Sequence, residues 1–138
     1  MAIIVGPTLW QYENQFSLGE TALGGGNIIY KSGSGVAWIV APASSEVSRN
    51  WYNRNDAVTT AESNAPCGDW FVPTLGRLQN PGYECRQWWD SYSSSIYWSN
   101  TDVYGSGRAW RVSLYDGSTS CTTMTTSFRV RAFRCVTY

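Results

Sequence analysis

The chain has 138 residues and no net charge, and it is rich in aromatic residues (15%) and poor in charged ones (14%). A neutral surface with a single lysine, Lys31, offers little electrostatic attraction to nucleic acid or to an anionic membrane, so neither is expected as a partner. No apolar run reaches the length of a membrane-spanning helix. Arginine together with many Trp and Tyr residues is instead typical of packed protein interfaces.

The N-terminal residues predict a short arm, over about residues 1–17, rather than an export signal. Ala2–Val5 is apolar, but Gly6–Pro7 ends the run, and no basic leader precedes it. We therefore expect synthesis in the cytoplasm without a signal peptide.

The middle of the chain predicts a hairpin and two helices. Apolar runs at Asn27–Lys31 and Val36–Ala41, joined by a Gly/Ser turn, indicate two antiparallel strands. A helix is expected in the second half of Glu46–Ala61. A second helix should begin at Pro73–Thr74, and Pro81–Gly82 should end it early.

Alternating segments near the C-terminus predict antiparallel strands. In Ala109–Tyr115 the large apolar residues, including Trp110, share one face, and Asp116–Gly117 then supplies a hairpin turn. Phe128–Arg134 alternates arginines with apolar residues until Phe133 reverses the order, which indicates a bulge or the end of the strand. The residues expected in the core are Trp70, Phe71, Val72, Trp98, Trp110, Val112, Phe128 and Val130.

Catalysis and metal binding have little support in the sequence. Without histidine there is no imidazole base for a serine or cysteine nucleophile, and the carboxylates are scattered singly. The Gly-rich segments 24–26 and 33–35 lack the lysine that follows in a phosphate loop. A calcium site needs several oxygen ligands on one loop, whereas Asn100 and Asp102 are better explained as residues that shape a loop. We therefore expect no enzyme activity, no catalytic residue, no cofactor and no metal.

Four cysteines, an even number, suit two disulfides in an oxidising setting, and free thiols are the alternative after cytoplasmic synthesis. The cysteines are Cys67, Cys85, Cys121 and Cys135. Their spacing matches no zinc template, and a zinc site without histidine would have to be all-thiolate.

The expected site of synthesis and the composition together suggest a setting for the protein. A chain that is made in the cytoplasm, yet has the composition of an extracellular domain, fits a component of a particle that is released by cell lysis, such as a virion.

Blocks of sequence in the order Gly24–Tyr30, Cys67–Leu78, Tyr97–Gly117 and Phe128–Arg134 are similar to those of a known family. The chain resembles the bacterial and phage family that includes the Fibrobacter major paralogous domain and the C-terminal domain of collagen-like adhesins. This resemblance implies an α+β, C-type-lectin-like fold of mostly short antiparallel strands with one or two short helices, in a single domain over residues 1–138. It also implies a relationship to formylglycine-generating enzymes and to phage tropism proteins.

The resemblance further implies how the cysteines would pair. Lectin-like domains often nest two disulfides, which here would join Cys67 to Cys135 and Cys85 to Cys121. The family carries an acidic residue in the helix after its Pro-Thr step, and this chain has Gly76–Arg77 in that position. The second helix is therefore expected to be short or broken.

A binding platform is implied for the loops between the C-terminal strands, Asn100–Arg108 and Ser118–Thr126. Each loop carries one large residue, Tyr104 or Met124, among small polar ones. A single aromatic residue among small polar residues is typical of an adaptable binding surface. The residues expected to contact a partner are Tyr104, Ser106, Arg108, Ser118, Thr119, Thr122 and Met124.

Three functions from different classes are considered. The favoured one is a bacteriophage virion structural protein, a capsid decoration or adaptor protein that binds capsid or tail subunits and could also form a homo-oligomer. It is favoured because the sequence contains no fibre shaft or repeat. The second is a receptor-binding or tail-fibre-tip adhesin that recognises a host surface glycan or protein. The third, an enzyme of the formylglycine-generating type, is weakest because Cys121 and Cys135 are equally well explained as disulfide partners or buried thiols.

Overall fold

The computed structural model describes residues 17–22, 25–64 and 69–137, which form two β-sheets and two short helices. The mixture of strands and short helices confirms the expected α+β class. The predicted strand at Ala2–Val5, most of the N-terminal arm, Gly24 and Cys67 lie outside the described residues. The elements are β1 (Asn27–Lys31), β2 (Val36–Val40), β3 (Val47–Arg49), α1 (Asp56–Asn64), α2 (Leu75–Arg77), β4 (Ile96–Val103), β5 (Arg108–Ser113), β6 (Thr119–Thr123), β7 (Phe128–Val130) and β8 (Phe133–Thr137).

The first sheet has the order β1-β2-β8, with antiparallel neighbours throughout. Its β1–β2 hairpin is the one that the apolar runs predicted. The turn is held by Ser32, whose Oγ accepts hydrogen bonds from the backbone N–H groups of Ser34 and Val36, each at 3.0 Å. Strand β8 pairs with the other side of β2, from Val36 opposite Thr137 to Val40 opposite Phe133.

The second sheet has the order β3-β7-β4-β5-β6. Adjacent strands in this sheet are antiparallel, except that β4 and β7 run parallel, with Tyr97 opposite Arg129. The predicted turn at Asp116–Gly117 joins β5 to β6. Asp116 Oδ1 accepts a hydrogen bond from the Ser118 N–H at 3.0 Å, and Gly117 has a φ of +78°. This left-handed conformation is the one that glycine adopts most readily.

The chain passes from the second sheet to the first through two residues, Arg131 and Ala132, which lie between β7 and β8. The predicted end of the alternating pattern near Phe133 is thereby confirmed. Two backbone contacts fix the crossing: the Ala41 N–H donates to Ala132 O at 2.9 Å, and Phe71 and Phe133 exchange hydrogen bonds of 2.9 and 2.8 Å. Both sheets therefore depend on the same short C-terminal segment.

Helix α1 occupies the second half of the predicted region and begins at Asp56. Ala57 and Ala61 lie one turn apart on the same face and are fully buried. Ala57 belongs to the apolar cluster around Trp98, and Ala61 belongs to the cluster around Trp70. The small residues therefore let the helix pack closely against two parts of the core.

Helix α2 is short, as expected from the sequence. Thr74 caps it, with Oγ1 accepting a hydrogen bond from the Arg77 N–H at 3.4 Å. The chain then continues as an irregular helical segment, Leu78–Tyr83, in which Asn80 has extended rather than helical dihedrals and Pro81 follows. A proline cannot donate the backbone hydrogen bond that a regular helix requires.

Apolar side chains cover both faces of the β4–β5 pair. Tyr97 and Val112 belong to a cluster on one face, while Trp98 and Ala109 belong to a cluster on the other. Most of the predicted core residues are confirmed as buried, and Phe71 and Phe128 are partly buried against these clusters. The confirmed residues are Trp70, Val72, Trp98, Val112 and Val130.

The expectation that Trp110 lies in the core is wrong. Trp110 is only half-buried and belongs to none of the apolar clusters formed by the described residues. Its neighbour Ala109, assigned from the sequence to the opposite face, is fully buried instead. Ala109 is buried because the cluster around Trp98 covers its face, whereas the cluster on the opposite face covers Val112 and Leu114 but does not reach Trp110, near the β4–β5 turn.

Candidate functional site

Tyr104 is the most exposed large side chain of the predicted platform, with 98% of its surface accessible. It lies in the turn between β4 and β5 and is followed by Gly105 and Gly107, both with a φ of +71°. Neither glycine has a neighbouring atom within 4 Å of the position where a Cβ would lie. The turn therefore extends away from the body of the domain and presents the tyrosine ring to solvent.

Hydrogen bonds hold this turn in shape. Ser106 Oγ donates to Val103 O at 2.7 Å and accepts from the Arg108 N–H at 3.1 Å. The Gly107 carbonyl accepts a hydrogen bond from the Met124 N–H at 2.9 Å. The exposed tyrosine therefore projects from an ordered hairpin, which limits the entropy lost when a partner binds.

Met124, predicted as a contact residue, is instead part of the core. Its side chain is 7% exposed and packs in the cluster of Trp98 and Ala109. Its carbonyl also accepts a hydrogen bond from the Trp51 N–H at 2.9 Å. The sequence was misleading because small polar residues surround Met124, while the turn after β6 directs its side chain inward.

The predicted residues do not form one continuous platform. Tyr104 and Ser106 lie in the turn before β5 and Arg108 is its first residue, whereas Ser118 and Thr119 lie beside its last two residues, with Thr119 opposite Val112. Arg108 and Val112 are four residues apart, which at ~3.4 Å per residue separates the two groups by about 14 Å along the strand. Thr122 lies between them, half-buried, and its Oγ1 accepts a hydrogen bond from Arg111 Nε at 2.7 Å.

A buried charged cluster at the junction of the two sheets was not anticipated from the sequence. Arg131, with 2% of its side chain exposed, forms an ion pair with Glu46, Nη2 to Oε1, at 3.1 Å. Glu46 also accepts hydrogen bonds from the Tyr97 hydroxyl and, at 2.8 Å, from Arg129 Nη1. Burial and the hydrogen bond to Glu46 raise the pKa of Tyr97 well above its ordinary value.

The remaining donors of Arg131 are also satisfied. They bond the carbonyls of Ala41 at 3.0 Å and Ser91 at 2.6 Å and the Asp90 carboxylate at 3.2 Å. The guanidinium carbon lies 5.2 Å from the centre of the Trp89 ring. Because the guanidinium of Arg131 is fully engaged within the protein, we interpret the Arg131–Glu46 cluster as a structural junction rather than a ligand site.

A small open pocket of about 120 Å³ lies between the first sheet and the segment after α2. Tyr30 and Trp38, paired across β1 and β2, form one side, and Arg77, Asn80 and Pro81 form the other. The guanidinium carbon of Arg77 lies 5.1 Å from the centre of the Trp38 ring. This site was not predicted from the sequence, in which Gly76–Arg77 indicated only a short helix.

Asn100 and Asp102 lie within strand β4 rather than shaping a loop. The Asn100 carboxamide oxygen accepts a hydrogen bond of 2.6 Å from Arg54 Nε. Desolvation by burial lowers the pKa of Arg54, and the nearby Asp102 charge opposes this effect. The described residues contain no group of three or more cysteine, aspartate or glutamate side chains that could hold a metal ion.

Cys85, Cys121 and Cys135 have free thiols, so the inner disulfide predicted between Cys85 and Cys121 is not formed in this structure. Cys67, the predicted partner of Cys135, lies outside the described residues. Burial raises the pKa of the Cys85 thiol, as does the nearby Glu84 charge, and burial also raises that of Cys135. Both thiols are therefore poorer nucleophiles than an exposed cysteine at neutral pH.

Comparisons with known proteins give no assignment. No protein-family model matches the sequence, and none of the curated proteins matches it. In the part of the chain that the structure describes, no helix is long and apolar enough to cross a membrane.

Proposed function

We propose that this protein is a non-enzymatic structural component of a bacteriophage virion, in particular a capsid decoration or adaptor protein. In this role the domain binds other virion subunits, and its fold is C-type-lectin-like. The order of the resembling sequence blocks supports the fold assignment, because Tyr97–Thr101 falls on β4 and Phe128–Arg134 spans β7 and β8.

The observation that carries the proposal is the exposed ring of Tyr104 on an ordered turn. Sites for small molecules are concave, and an exposed protrusion is the opposite shape. A protruding aromatic residue suits a pocket on a partner protein, and Tyr is among the residue types that contribute most to protein interfaces. Because the turn is already ordered, binding costs little conformational entropy.

The test is attachment of the purified protein to particles of the encoding phage that lack it. Tyr104→Ala should weaken attachment by about 1–3 kcal/mol while leaving the free energy of unfolding nearly unchanged. Tyr115 offers a matched control, because it is 74% exposed and lies in the turn at the other end of β5. Tyr115→Ala should attach like the wild type.

Two outcomes would count against the proposal. Wild-type attachment of Tyr104→Ala would move the interface elsewhere, and the absence of the protein from purified particles would remove the virion role altogether. The number of copies per particle separates head decoration, with hundreds of copies, from a tail position with a handful.

A second candidate function is a receptor-binding adhesin that recognises a host surface glycan or protein. The pocket formed by Tyr30, Trp38, Arg77, Asn80 and Pro81 favours it, because this site is concave and combines aromatic rings with a guanidinium and an amide. The pocket and the Tyr104 turn belong to different sheets and share no residue. The two functions can therefore be tested separately.

A further inference from the structure

We propose that the pocket formed by Tyr30, Trp38, Arg77, Asn80 and Pro81 binds a single acidic sugar residue, a pyranose ring that carries a carboxylate. This inference specifies the ligand of the second candidate function. It does not depend on Tyr104 or on attachment to a particle.

Arg77 supplies the group that would bind the carboxylate. Within the described residues no carboxylate pairs with it, and its side chain donates no hydrogen bond. Its guanidinium lies over the Trp38 ring, 5.1 Å from the ring centre, which restrains the side chain by a cation–π contact. A planar guanidinium held in this way can give two parallel N–H groups to a carboxylate.

The other residues of the pocket match a sugar ring better than a simple acid. Tyr30 is 41% exposed, so that part of its ring is available to the apolar C–H face of a pyranose. The Asn80 carboxamide can both donate to and accept from hydroxyl groups. An acidic side chain of a protein partner would use the guanidinium alone and would leave the amide and the tyrosine ring without a role.

The size of the pocket limits the ligand to a single ring. Its volume of about 120 Å³ lies below the ~300 Å³ at which typical small-molecule pockets begin, so the open site can hold one ring with part of that ring in solvent. The Trp38 ring is itself supported by Phe71, with ring centres 5.9 Å apart in an edge-to-face arrangement. The side of the pocket that Trp38 forms is therefore held in place before a ligand arrives.

The experiment is a titration of the isotope-labelled protein with sodium glucuronate, followed by two-dimensional ¹H–¹⁵N NMR. We expect saturable shifts in the millimolar range at the Trp38 indole N–H, the Arg77 Nε–H and the Asn80 side-chain amide. Glucose has the ring without the carboxylate, and glutarate has carboxylates without the ring. Both should bind at least about tenfold more weakly than glucuronate.

Two variants test the assigned roles. Arg77→Gln should weaken glucuronate binding at least about tenfold and remove the preference over glucose. Tyr30→Ala should weaken glucuronate and leave glutarate unchanged. The control is Arg49→Gln, which makes the same charge change on the second sheet, where Arg49 pairs with the exposed Asp56. It should bind glucuronate like the wild type, as should Tyr104→Ala.

Several results would overturn the inference. Equal binding of glucose and glucuronate would exclude recognition of the carboxylate, and equal binding of glutarate and glucuronate would indicate a site for a simple acid. This pocket would be excluded as a sugar site if only residues outside it shifted. It would also be excluded if no saturable shift occurred while the NMR spectrum showed that the protein was folded. None of these results alters the particle-attachment test of Tyr104.

Discussion

Arg131 and Glu46 are 85 positions apart in sequence, yet they form an ion pair of 3.1 Å where the two sheets meet. The Arg131 side chain is 2% exposed and that of Glu46 is 11% exposed. Removing one partner of a buried pair leaves the other charge without compensation, which costs far more than losing a surface contact. Glu46 also binds Arg129, whose side chain is 47% exposed. The contributions of a buried and an exposed arginine to stability can therefore be compared at one carboxylate, that of Glu46.

We predict that Arg131→Ala lowers the free energy of unfolding by about 3–5 kcal/mol, because Glu46 and Asp90 lose a buried cationic partner. Arg129→Ala should cost less than ~1 kcal/mol, as is usual for an exposed ion pair. Urea denaturation followed by far-UV circular dichroism measures both. Equal losses in the two variants would show that burial does not set the strength of these contacts.

The raised pKa of Tyr97 predicts a loss of stability at alkaline pH. In the unfolded chain a tyrosine loses its proton near pH ~10, whereas burial and the Glu46 hydrogen bond keep the folded phenol protonated to higher pH. Below pH ~10 both states are protonated, so the stabilising effect is fully present. Above it the unfolded state holds fewer protons, and the free energy of unfolding falls by up to about 1.4 kcal/mol per pH unit.

Stability measured in urea between pH 9 and pH 11 checks this expectation. Tyr97→Phe should have a flatter alkaline slope than the wild type, because the ionisable hydroxyl is gone. The exposed Tyr115 supplies the control, and Tyr115→Phe should keep the wild-type slope. A slope unchanged in Tyr97→Phe would assign the alkaline loss to other groups.

Gly117 is expected to tolerate substitution much less well than Gly105. Both have positive φ angles, +78° and +71°, so alanine at either position meets a backbone cost of about 1–2 kcal/mol. A Cβ at Gly117 would also overlap the Tyr83 ring, whereas the space around Gly105 is open. We predict that Gly117→Ala destabilises the protein more than Gly105→Ala, by a further ~1–3 kcal/mol.

Thermal unfolding of these variants measures the difference. The double variant Gly117→Ala with Tyr83→Ala isolates the overlap, because removing the ring should make the extra effect of the alanine methyl disappear. If Gly117→Ala and Gly105→Ala lost equal stability, the contact with Tyr83 would have no energetic weight.

Trp98 and Trp110 should differ strongly when each is replaced by alanine. Trp98 is 1% exposed, and its Nε1–H donates to Arg49 O at 3.1 Å and Thr126 O at 3.2 Å. Its removal should cost about 3–5 kcal/mol. Trp110 is half-buried outside the apolar clusters of the described residues, so we expect about 1–2 kcal/mol from its smaller buried area. Unfolding in denaturant measures both losses, and a Trp110→Ala variant less stable than Trp98→Ala would contradict the prediction.

Local patterns in the sequence predicted the hairpins well. The β1–β2 hairpin, the turn at Asp116–Gly117 and the early end of α2 depend on residues close in sequence, and the structure confirms each of them. Turn propensity and proline geometry act locally, so these features need no knowledge of the tertiary fold.

Side-chain environments were harder to predict because they depend on distant segments. Met124 stands among polar neighbours but is buried against Trp98, and Trp110 is apolar but lies outside the core. The pairing of Glu46 with Arg131 could not be predicted, because the residues next to each of them in sequence do not indicate a buried charge or its partner. The Arg77 pocket combines residues from strands and a helix that are over 30 positions apart. Only the three-dimensional arrangement brings such groups together.

The two-residue link between β7 and β8 also bears on synthesis of the protein. Strand β8 pairs with the middle strand of the first sheet, and β7 lies between β3 and β4 in the second. Until Phe128–Val130 has left the ribosome, β3 lacks the strand with which it pairs in the described part of the chain, and until Phe133–Thr137 has followed, β2 lacks a neighbour on one side. Unpaired apolar strand edges are prone to associate with other chains. Slowed synthesis of the segment that contains β7 and β8 should therefore increase aggregation of the nascent chain.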